Sequence, residues 1–345
     1  MKIRKILLLL FPMMVVAIVS CNNDDDGTST TPPRDRQEVY DEDKVEIDDF
    51  LATHYYNYED FDFDNPYSEA NDSFRIVFDT IIPGETDDKI PLIDRPELKF
   101  KMVEDSEGIE YKLYYLDVRE GAGNVVHFSD RVQVIYEGST IPSDDVFEEI
   151  VNEAPLSLIS VGTDYGIVQG LASAFTEFKT STSFTSNGDG TVQYHGHGIG
   201  AVFIPSGLGY FNQTTANFSS YTPLIFKFYL MERTVLDHDL DSIPSYLEDI
   251  DGNLNAYDDD TDGDLAPNFV DNDDDGDLVL TIDEVDFPEP YTITLGDPDP
   301  VFAENEYEIS REVNGTVVTI KTVVLTDTND DGIPDYLDPD TAIED

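Results

Sequence analysis

The chain opens with a basic segment, residues 1–5, followed by an uncharged apolar run from Ile6 to Val19. That run is 14 residues long, short of the roughly 20 that a membrane-crossing helix needs, and it predicts a signal peptide over residues 1–20. Residues 21–33 lack any hydrophobic period and are rich in Asn, Asp, Thr and Pro, a flexible polar tether. From Arg34 to about Tyr56, Val39, Ile47, Phe50, Leu51 and His54 include the three- and four-residue spacings of an amphipathic helix. Residues 73–78 and 98–102 alternate as strands do. Residues 34–107 hold no catalytic constellation and read as an accessory region or an arm packed on the next domain. Strand patterns then sharpen: residues 111–116 form one, Val132, Val134 and Tyr136 share a face of the next, and Leu224, Phe226, Phe228 and Leu230 lie opposite Ile225, Lys227 and Tyr229 in a third. Residues 166–178 are the one helical stretch among them, with Ile167, Val168, Leu171, Phe175 and Phe178 at helical spacing. Strands with one short helix predict an α+β domain over residues 108–233.

Composition changes the picture in three ways. Acidic residues number 74 against 19 basic ones, a net charge of −55, so nucleic acid is excluded as a partner because its phosphates would be repelled. Hydrophobic residues at 40%, with 19 Tyr and 20 Phe, are too many for a wholly disordered acidic chain. The single cysteine, Cys21, excludes an internal disulfide and a Cys-rich zinc site. Ile18-Val19-Ser20-Cys21 resembles the lipobox of bacterial lipoproteins, which implies a lipid on Cys21 and a membrane anchor. The acidic tract at residues 22–26 resembles the surface-export signals of some Gram-negative lipoproteins. The expected location is the outer membrane or cell surface of a Gram-negative bacterium.

Residues 108–233 resemble the FKBP-type peptidyl-prolyl isomerases. Val134-Ile135-Tyr136-Glu137-Gly138 is similar to the family's V-x-Y-x-G strand, and Phe147-Glu148 stands where the family has Phe-Asp. Pro155-Leu156-Ser157-Leu158 resembles P-F-x-F, and Gly166-Ile167-Val168-Gln169-Gly170-Leu171 the V-I-x-G-W stretch that opens the helix. Ile204-Pro205 through Tyr210 resembles the I-P-x-x-x-x-Y turn, and residues 223–226 the last strand. The resemblance implies an antiparallel sheet wrapped on one short helix, acting on proline-containing client proteins with no cofactor for catalysis. It implies a pocket lined by Tyr136, Phe147, Ile167, Val168, Phe218 and Phe226, with the Tyr210 hydroxyl offered to the substrate carbonyl and the Ile167–Val168 backbone anchoring the chain. Glu148 replaces an Asp, Leu156 a Phe, and Leu171 the Trp on which the proline ring sits. Residues 181–200 are an insertion, and His195-Gly196-His197 within it reads as an exposed loop pair, since no third metal ligand is identifiable.

The last third is acidic: residues 234–345 hold 34 acidic and two basic side chains. Acidic blocks are commonly disordered, but the spacing here is that of calcium loops, which need oxygen ligands at positions 1, 3 and 5 and a closing carboxylate at 12. Asp237/Asp239/Asp241 closes with Glu248, Asp249/Asp251/Asn253 with Asp260, and Asp260/Asp262/Asp264 with Asp271. Asp273/Asp275/Asp277 closes with Glu284, and Asp327/Asn329/Asp331 with Asp338. The fourth window resembles an EF-hand loop; the first, third and fifth, with Pro244, Pro267 and Pro334, are similar to thrombospondin type 3 calcium repeats. The first four follow one another closely and predict a continuous Ca²⁺-ligating ribbon. Leu254, Leu265 and Leu278 occupy position 6, where Gly normally permits the turn, and predict weaker binding there.

Two functions fit. One is a lipid-anchored prolyl isomerase or chaperone with a calcium-stabilised C-terminal extension. The other is a non-catalytic surface module in which the same pocket binds a protein and the acidic region serves as a stalk or adhesion element.

Overall fold

A computed structural model describes residues 32–86, 88–162 and 166–341. The signal peptide, Cys21 and most of the tether lie outside the described residues. Helix α1 (Arg36–Thr53) starts where the Asp35 carboxylate accepts the Glu38 N–H at 2.9 Å, an N-cap that satisfies one of the helix's free amide donors. Its apolar stripe, Val39, Ile47, Phe50 and Leu51, is buried. Strand β1 (His54–Tyr56) pairs antiparallel with β2 (Phe78–Thr80). The strand expected from residue 73 begins only at Phe78. Its alternation is real, with Phe74, Ile76 and Phe78 buried and Arg75 and Val77 exposed. Ahead of β2, however, side chains take the backbone donors: Ile76 N–H reaches the Tyr229 hydroxyl at 2.7 Å and Val77 N–H reaches Asn57 Oδ1 at 2.9 Å.

The main sheet contains β3 (Leu98–Glu104), β4 (Glu110–Arg119), β5 (Arg131–Thr140), β6 (Val146–Ser157), β9 (Gly198–Ile204) and β10 (Leu224–Thr234), all antiparallel, in the order β3-β4-β9-β10-β5-β6. Strand β3, assigned by sequence to the accessory region, is thus an edge of this sheet. Helix α2 (Gln169–Phe175) is shorter than the expected 166–178 and lies on one face, where Leu171 and Phe175 pack with Val134, Phe226 and Phe228. The opposite face is covered by the N-terminal arm. Phe50, Leu51, Phe78 and Leu92 pack there against Leu116, Phe203, Ile225 and Tyr229. Each large side chain fully removed from water contributes about 1.5–3 kcal/mol, so both layers stabilise the sheet.

Residues 181–200 fold as a hairpin, β7 (Ser183–Ser186) with β8 (Val192–His195), running into β9. His195 and His197 are not an exposed loop pair. His195 Nδ1 lies 3.0 Å from Asp72, which also pairs with Arg119 at 3.0 Å. His197 is buried, and burial together with the Arg119 charge lowers its imidazole to about 3, so it is neutral.

Two polar contacts tie α1 to the turn after β9. One Asp43 oxygen accepts both Ser206 N–H and Ser206 Oγ–H at 2.7 Å. Arg36 donates to the buried Asp105 at 3.0 Å and to the Gly207 carbonyl at 3.3 Å.

The acidic third is folded rather than disordered. Strands β11 (Val285–Asp286), β12 (Tyr291–Thr294) and β13 (Glu306–Asn314) all pair with β14 (Val317–Leu325). Ile243 from the first acidic loop and Tyr336 from the fifth complete a small core with Val285 and Val323. The first and fifth loops therefore pack on this sheet. A second small core, Phe128, Ala256 and Phe269, joins this region to the main sheet, with His127 stacked on Tyr246 at 3.6 Å.

Candidate functional site

One end of the main sheet carries a cavity of about 260 Å³ lined by Tyr136, Glu148, Leu156, Gly166, Ile167, Val168, Leu171, Tyr210 and Phe226. Period-2 alternation aims Tyr136 from β5 and Phe226 from β10 into it. Glu148 and Leu156 come from β6, Ile167 and Val168 from the entry to α2, and Leu171 from its first turn. The turn held by Asp43 and Arg36 supplies Tyr210. Phe147 and Phe218 do not line the cavity; they buttress it, with ring centroids 4.9 Å apart, and Phe147 stands edge-on to Phe226 at 5.7 Å. All ten residues singled out by sequence therefore meet in one place, eight as lining and two as support.

Gly138 makes the aromatic wall possible. A Cβ there would fall 2.7 Å from the Phe147 ring and 2.9 Å from the Phe226 ring. Its position in the strand motif was legible, but its role needed the fold. The Ile167 N–H donates to the Ser157 carbonyl at 3.2 Å, so it holds β6 rather than standing free as an anchor for a bound chain. Burial and the neighbouring Glu148 carboxylate push the Tyr136 and Tyr210 phenols above their ordinary values. Both hydroxyls are thus neutral hydrogen-bond donors in a cage of aromatic and aliphatic walls that also holds the Glu148 carboxylate. A larger cleft of about 950 Å³ shares Ile167 as a wall and runs between α2, the β3–β4 hairpin and residues 253–258.

The acidic loops repeat one geometry. The position-1 carboxylate accepts backbone donors near position 6, as Asp237 does from Ser242 N–H at 3.0 Å and Asp260 from Leu265 N–H at 3.1 Å. Position 3 accepts from position 5: Asp239, Asp251, Asp262, Asp275 and Asn329 each take the N–H two residues on. Position 6 is left-handed in every loop, at φ +84° for Ser242, +68° for Leu254, +85° for Leu265, +80° for Leu278 and +95° for Gly332. The three leucines accept that conformation with their side chains exposed.

Four of the five loops gather carboxylates closely enough to share an ion. The sets are Asp237/Asp239/Asp241, Asp249/Asp251/Asp259, Asp260/Asp262/Asp264 and Asp273/Asp275/Asp277, with oxygens within 4.8 Å of one another. At that separation two carboxylates repel by roughly 3 kcal/mol at an effective dielectric of about 20. Asp239 Oδ2, Asp241 Oδ2, Asp273 Oδ1, Asp275 Oδ2 and Asp277 Oδ2 are buried with no hydrogen-bond partner among the described residues.

The fifth loop departs from the expected ligand set. Among the described residues, Asp327, Asn329 and Asp331 do not join in a cluster of three acidic groups. Position 3 is an amide, and the two carboxylates are engaged by the turn itself. The Asp331 N–H donates to Asp327 Oδ1 at 3.2 Å and to Asn329 Oδ1 at 2.9 Å, while Asp331 Oδ1 accepts the Ile333 N–H at 2.9 Å. Asp327 Oδ2 accepts the Gly332 N–H at 2.8 Å. This loop has the shape of the others with less charge to neutralise.

The closing residues also differ from the expected pattern. Glu248 and Glu284 are buried, and burial with neighbouring aspartates pushes Glu284 up to about 8 and Glu248 well above the carboxylate range. In the second loop Asp259, not Asp260, joins the set, and Asn253 instead donates its amide to Asp251 and Asp258 at 3.1 Å. Asp271, Glu284 and Asp338 close no carboxylate set among the described residues; Asp338 accepts from Asn329 Nδ2 at 2.9 Å. Asp259 and Asp274 are the acidic residues that sequence phase missed. Each lies within a run of three aspartates, where counting by position keeps only one.

No curated protein matches the sequence. The BamM C-terminal family matches residues 238–306. Among solved structures, a peptidyl-prolyl cis-trans isomerase from Pseudomonas syringae pv. tomato is 14% identical over 59% of this chain and 98% of its own, with a TM-score of 0.32. FkpA from Escherichia coli is 20% identical over 41% of this chain, TM-score 0.29, and the match spans only 53% of FkpA. The N-terminal domain of FKBP42 from Arabidopsis thaliana is 16% identical over 40% of this chain and 96% of that domain, TM-score 0.29.

Proposed function

We propose that this protein is a peptidyl-prolyl cis-trans isomerase of the cell envelope, lipid-anchored at Cys21, whose acidic C-terminal loops take up Ca²⁺. The observation that carries the isomerase reading is the cage itself: a small concavity walled by Tyr136, Leu156, Ile167, Val168, Leu171 and Phe226, with hydroxyls at Tyr136 and Tyr210. Its volume of about 260 Å³ suits one ring-sized side chain rather than a large cofactor.

Rotation of an X-Pro amide must pass a barrier of about 18–20 kcal/mol, set by loss of resonance. The twisted amide is less polar than the planar one, so aromatic and aliphatic walls that displace water from it favour it over the ground state. A Tyr210 hydroxyl donating to the carbonyl oxygen would hold the substrate while the bond turns. No nucleophile, proton transfer or metal is needed. The test is exchange spectroscopy on a prolyl tetrapeptide with the whole chain: catalysed exchange that falls with Phe226→Ala and rises with Leu171→Trp supports the reading. Exchange at the uncatalysed rate in both the parent and Leu171→Trp refutes it.

The adjoining cleft favours a second reading. At about 950 Å³ it far exceeds one proline and could hold an extended client segment. If peptides bind without accelerated exchange, the protein is a binding module.

The calcium reading rests on buried, unpartnered carboxylate oxygens in loops that offer oxygen ligands only. Limited proteolysis of the whole chain should cut between residues 237 and 284 in chelator and spare that region in Ca²⁺; identical patterns would remove it. The anchor reading predicts that Cys21→Ala abolishes lipid labelling.

A further inference from the structure

We propose that Asp241, Glu248 and Asp274 hold one divalent cation between the first and fourth acidic loops, a site that joins two loops instead of closing one. The inference rests on the calcium reading above and adds to it a ligand, Asp274, that the loop spacing does not assign. Ligand oxygens from the three carboxylates lie within 4.8 Å of one another. The residues are 1%, 0% and 2% exposed. Both oxygens of Glu248 and both of Asp274 are buried with no hydrogen-bond donor among the described residues, and so is Asp241 Oδ2. Asp241 Oδ1 is occupied by the Ile243 N–H at 2.7 Å, which aims Oδ2 at the other two groups.

Side-chain cations do not answer this charge. Residues 234–345 contain only Arg311 and Lys321 as basic residues. Arg311 is bound to Asp299 and Glu308 at 2.8 and 2.7 Å, and Lys321 is exposed on β14. Buried carboxylates are stable when paired or ligating a metal. An all-carboxylate set without nitrogen or sulfur selects a hard ion of the Ca²⁺ kind rather than Zn²⁺.

The backbone already places the two loops together. Asn272 Nδ2 donates to the Asp239 carbonyl at 2.9 Å, across 33 positions of chain. The Asp274 N–H meets Thr281 Oγ1 at 3.3 Å, which fixes the residue within its own loop. An ion at this point cross-links residues 241 and 274, and Tyr336 of the fifth loop is buried beside it. The first, fourth and fifth loops then form one ion-dependent unit around β14.

The experiment counts ions on the whole chain by equilibrium dialysis with Ca²⁺ and reads Tb³⁺ luminescence excited through tyrosine. The chain has no Trp, so tyrosine is the sensitiser, and Tyr336 is buried beside these carboxylates. Asp274→Asn should lower the Ca²⁺ count by one and the sensitised emission by at least half. Tyr336→Phe should lower the emission by as much with the count unchanged. Asp251→Asn, in the second loop, should leave the Tyr336-dependent emission in place. If Glu248→Gln loses an ion while Asp274→Asn keeps the full count, the ion belongs to the first loop alone and the shared site falls. A fall of more than one ion in Asp274→Asn, which unfolding would also produce, overturns it too. A parent chain that takes up no Ca²⁺ refutes the calcium reading itself, a different result from either.

Discussion

Asp43→Asn should stabilise the protein at neutral pH and leave it nearly unchanged near pH 4. Asp43 lies on the buried side of α1 at 3% exposure, and one of its oxygens receives both donors of Ser206 at 2.7 Å. Burial raises its carboxyl more than those two bonds lower it, to about 6. An unfolded aspartate titrates near 3.9, so between about pH 4 and 6 the folded chain keeps a proton that the unfolded chain has released. The stability from that proton is fully present below about pH 4 and lost as pH rises through 6. The gap between the two values corresponds to roughly 3 kcal/mol. Asn keeps a carbonyl oxygen for both Ser206 donors and cannot ionise, so it escapes the loss. Urea denaturation of parent and variant from pH 4 to 8, in constant excess Ca²⁺, measures the difference, and subtraction cancels the other carboxylates. The variant's advantage should grow through pH 4–6 and level off near 3 kcal/mol. Parallel stability curves across that range would refute the argument. Asp43→Ala is the complementary change: it leaves the fully buried Ser206 without its acceptor, so it should lie about 1–3 kcal/mol below Asp43→Asn at every pH, and it loosens the turn that carries Tyr210.

The same geometry fixes three other outcomes. Gly138→Ala would place a Cβ 2.7 Å from the Phe147 ring and 2.9 Å from the Phe226 ring, so it should cost about 1–3 kcal/mol and depress prolyl turnover, read by thermal melting and exchange spectroscopy. Turnover should be flat from about pH 6 to 8, because the Tyr136 and Tyr210 phenols are held above their ordinary values and stay protonated. A bell-shaped profile would assign the step to a titrating group, and Tyr210→Phe should cost only several-fold, about one hydrogen bond. Leu265→Gly and Leu278→Gly relieve left-handed backbone at φ +85° and +80°; since both side chains are 90% exposed, each should stabilise the Ca²⁺-loaded protein by about 1 kcal/mol, and a lower melting temperature in both would count against strain.

What was legible in the sequence depended on whether a residue's partner lies nearby in the chain. The strands that build the cage alternate with period 2, which assigned Tyr136 and Phe226 each to a face of its own strand, and the family resemblance brought the two faces together. The second layer on the sheet was legible only as one of two alternatives for residues 34–107, because its contacts are long-range and partly polar. Lys227 and Tyr229 carry polar tips, yet both are buried. The Lys227 amine pairs with Glu137, and the Tyr229 hydroxyl accepts the Ile76 N–H at 2.7 Å from 153 positions away. A polar tip marks exposure only when no distant group satisfies it. His197 misled in the same way: its neighbours in sequence are polar, but Asp72, Arg119 and Tyr229 enclose it.

The acidic region divides along the same line. Position counting within one loop found the repeated turns, because each turn is made by hydrogen bonds spanning two to five residues, such as Asp241 to Ile243 N–H and Asp237 to Ser242 N–H. It could not find Asp274, whose carboxylate answers to Asp241 and Glu248 across another loop. Nor could it separate the fifth loop, where Asp331 makes the same turn without joining an acidic cluster among the described residues. Local spacing therefore encodes the shape of each loop, whereas the distribution of unsatisfied charge among loops is set by how they pack. With 34 acidic side chains against two basic ones in residues 234–345, that packing concentrates charge that the proposed cations would neutralise. Glu248 is completely buried and has no hydrogen-bond donor among the described residues, which is why the proposed shared site centres on it. The cage differs: its polar side chains are the Tyr136 and Tyr210 hydroxyls and the single Glu148 carboxylate, so it gathers no cluster of like charge. The Phe128–Phe269 core is where the segments flanking β5 and β6 meet the acidic region, so the proposed ion sites and the cage lie on one connected fold.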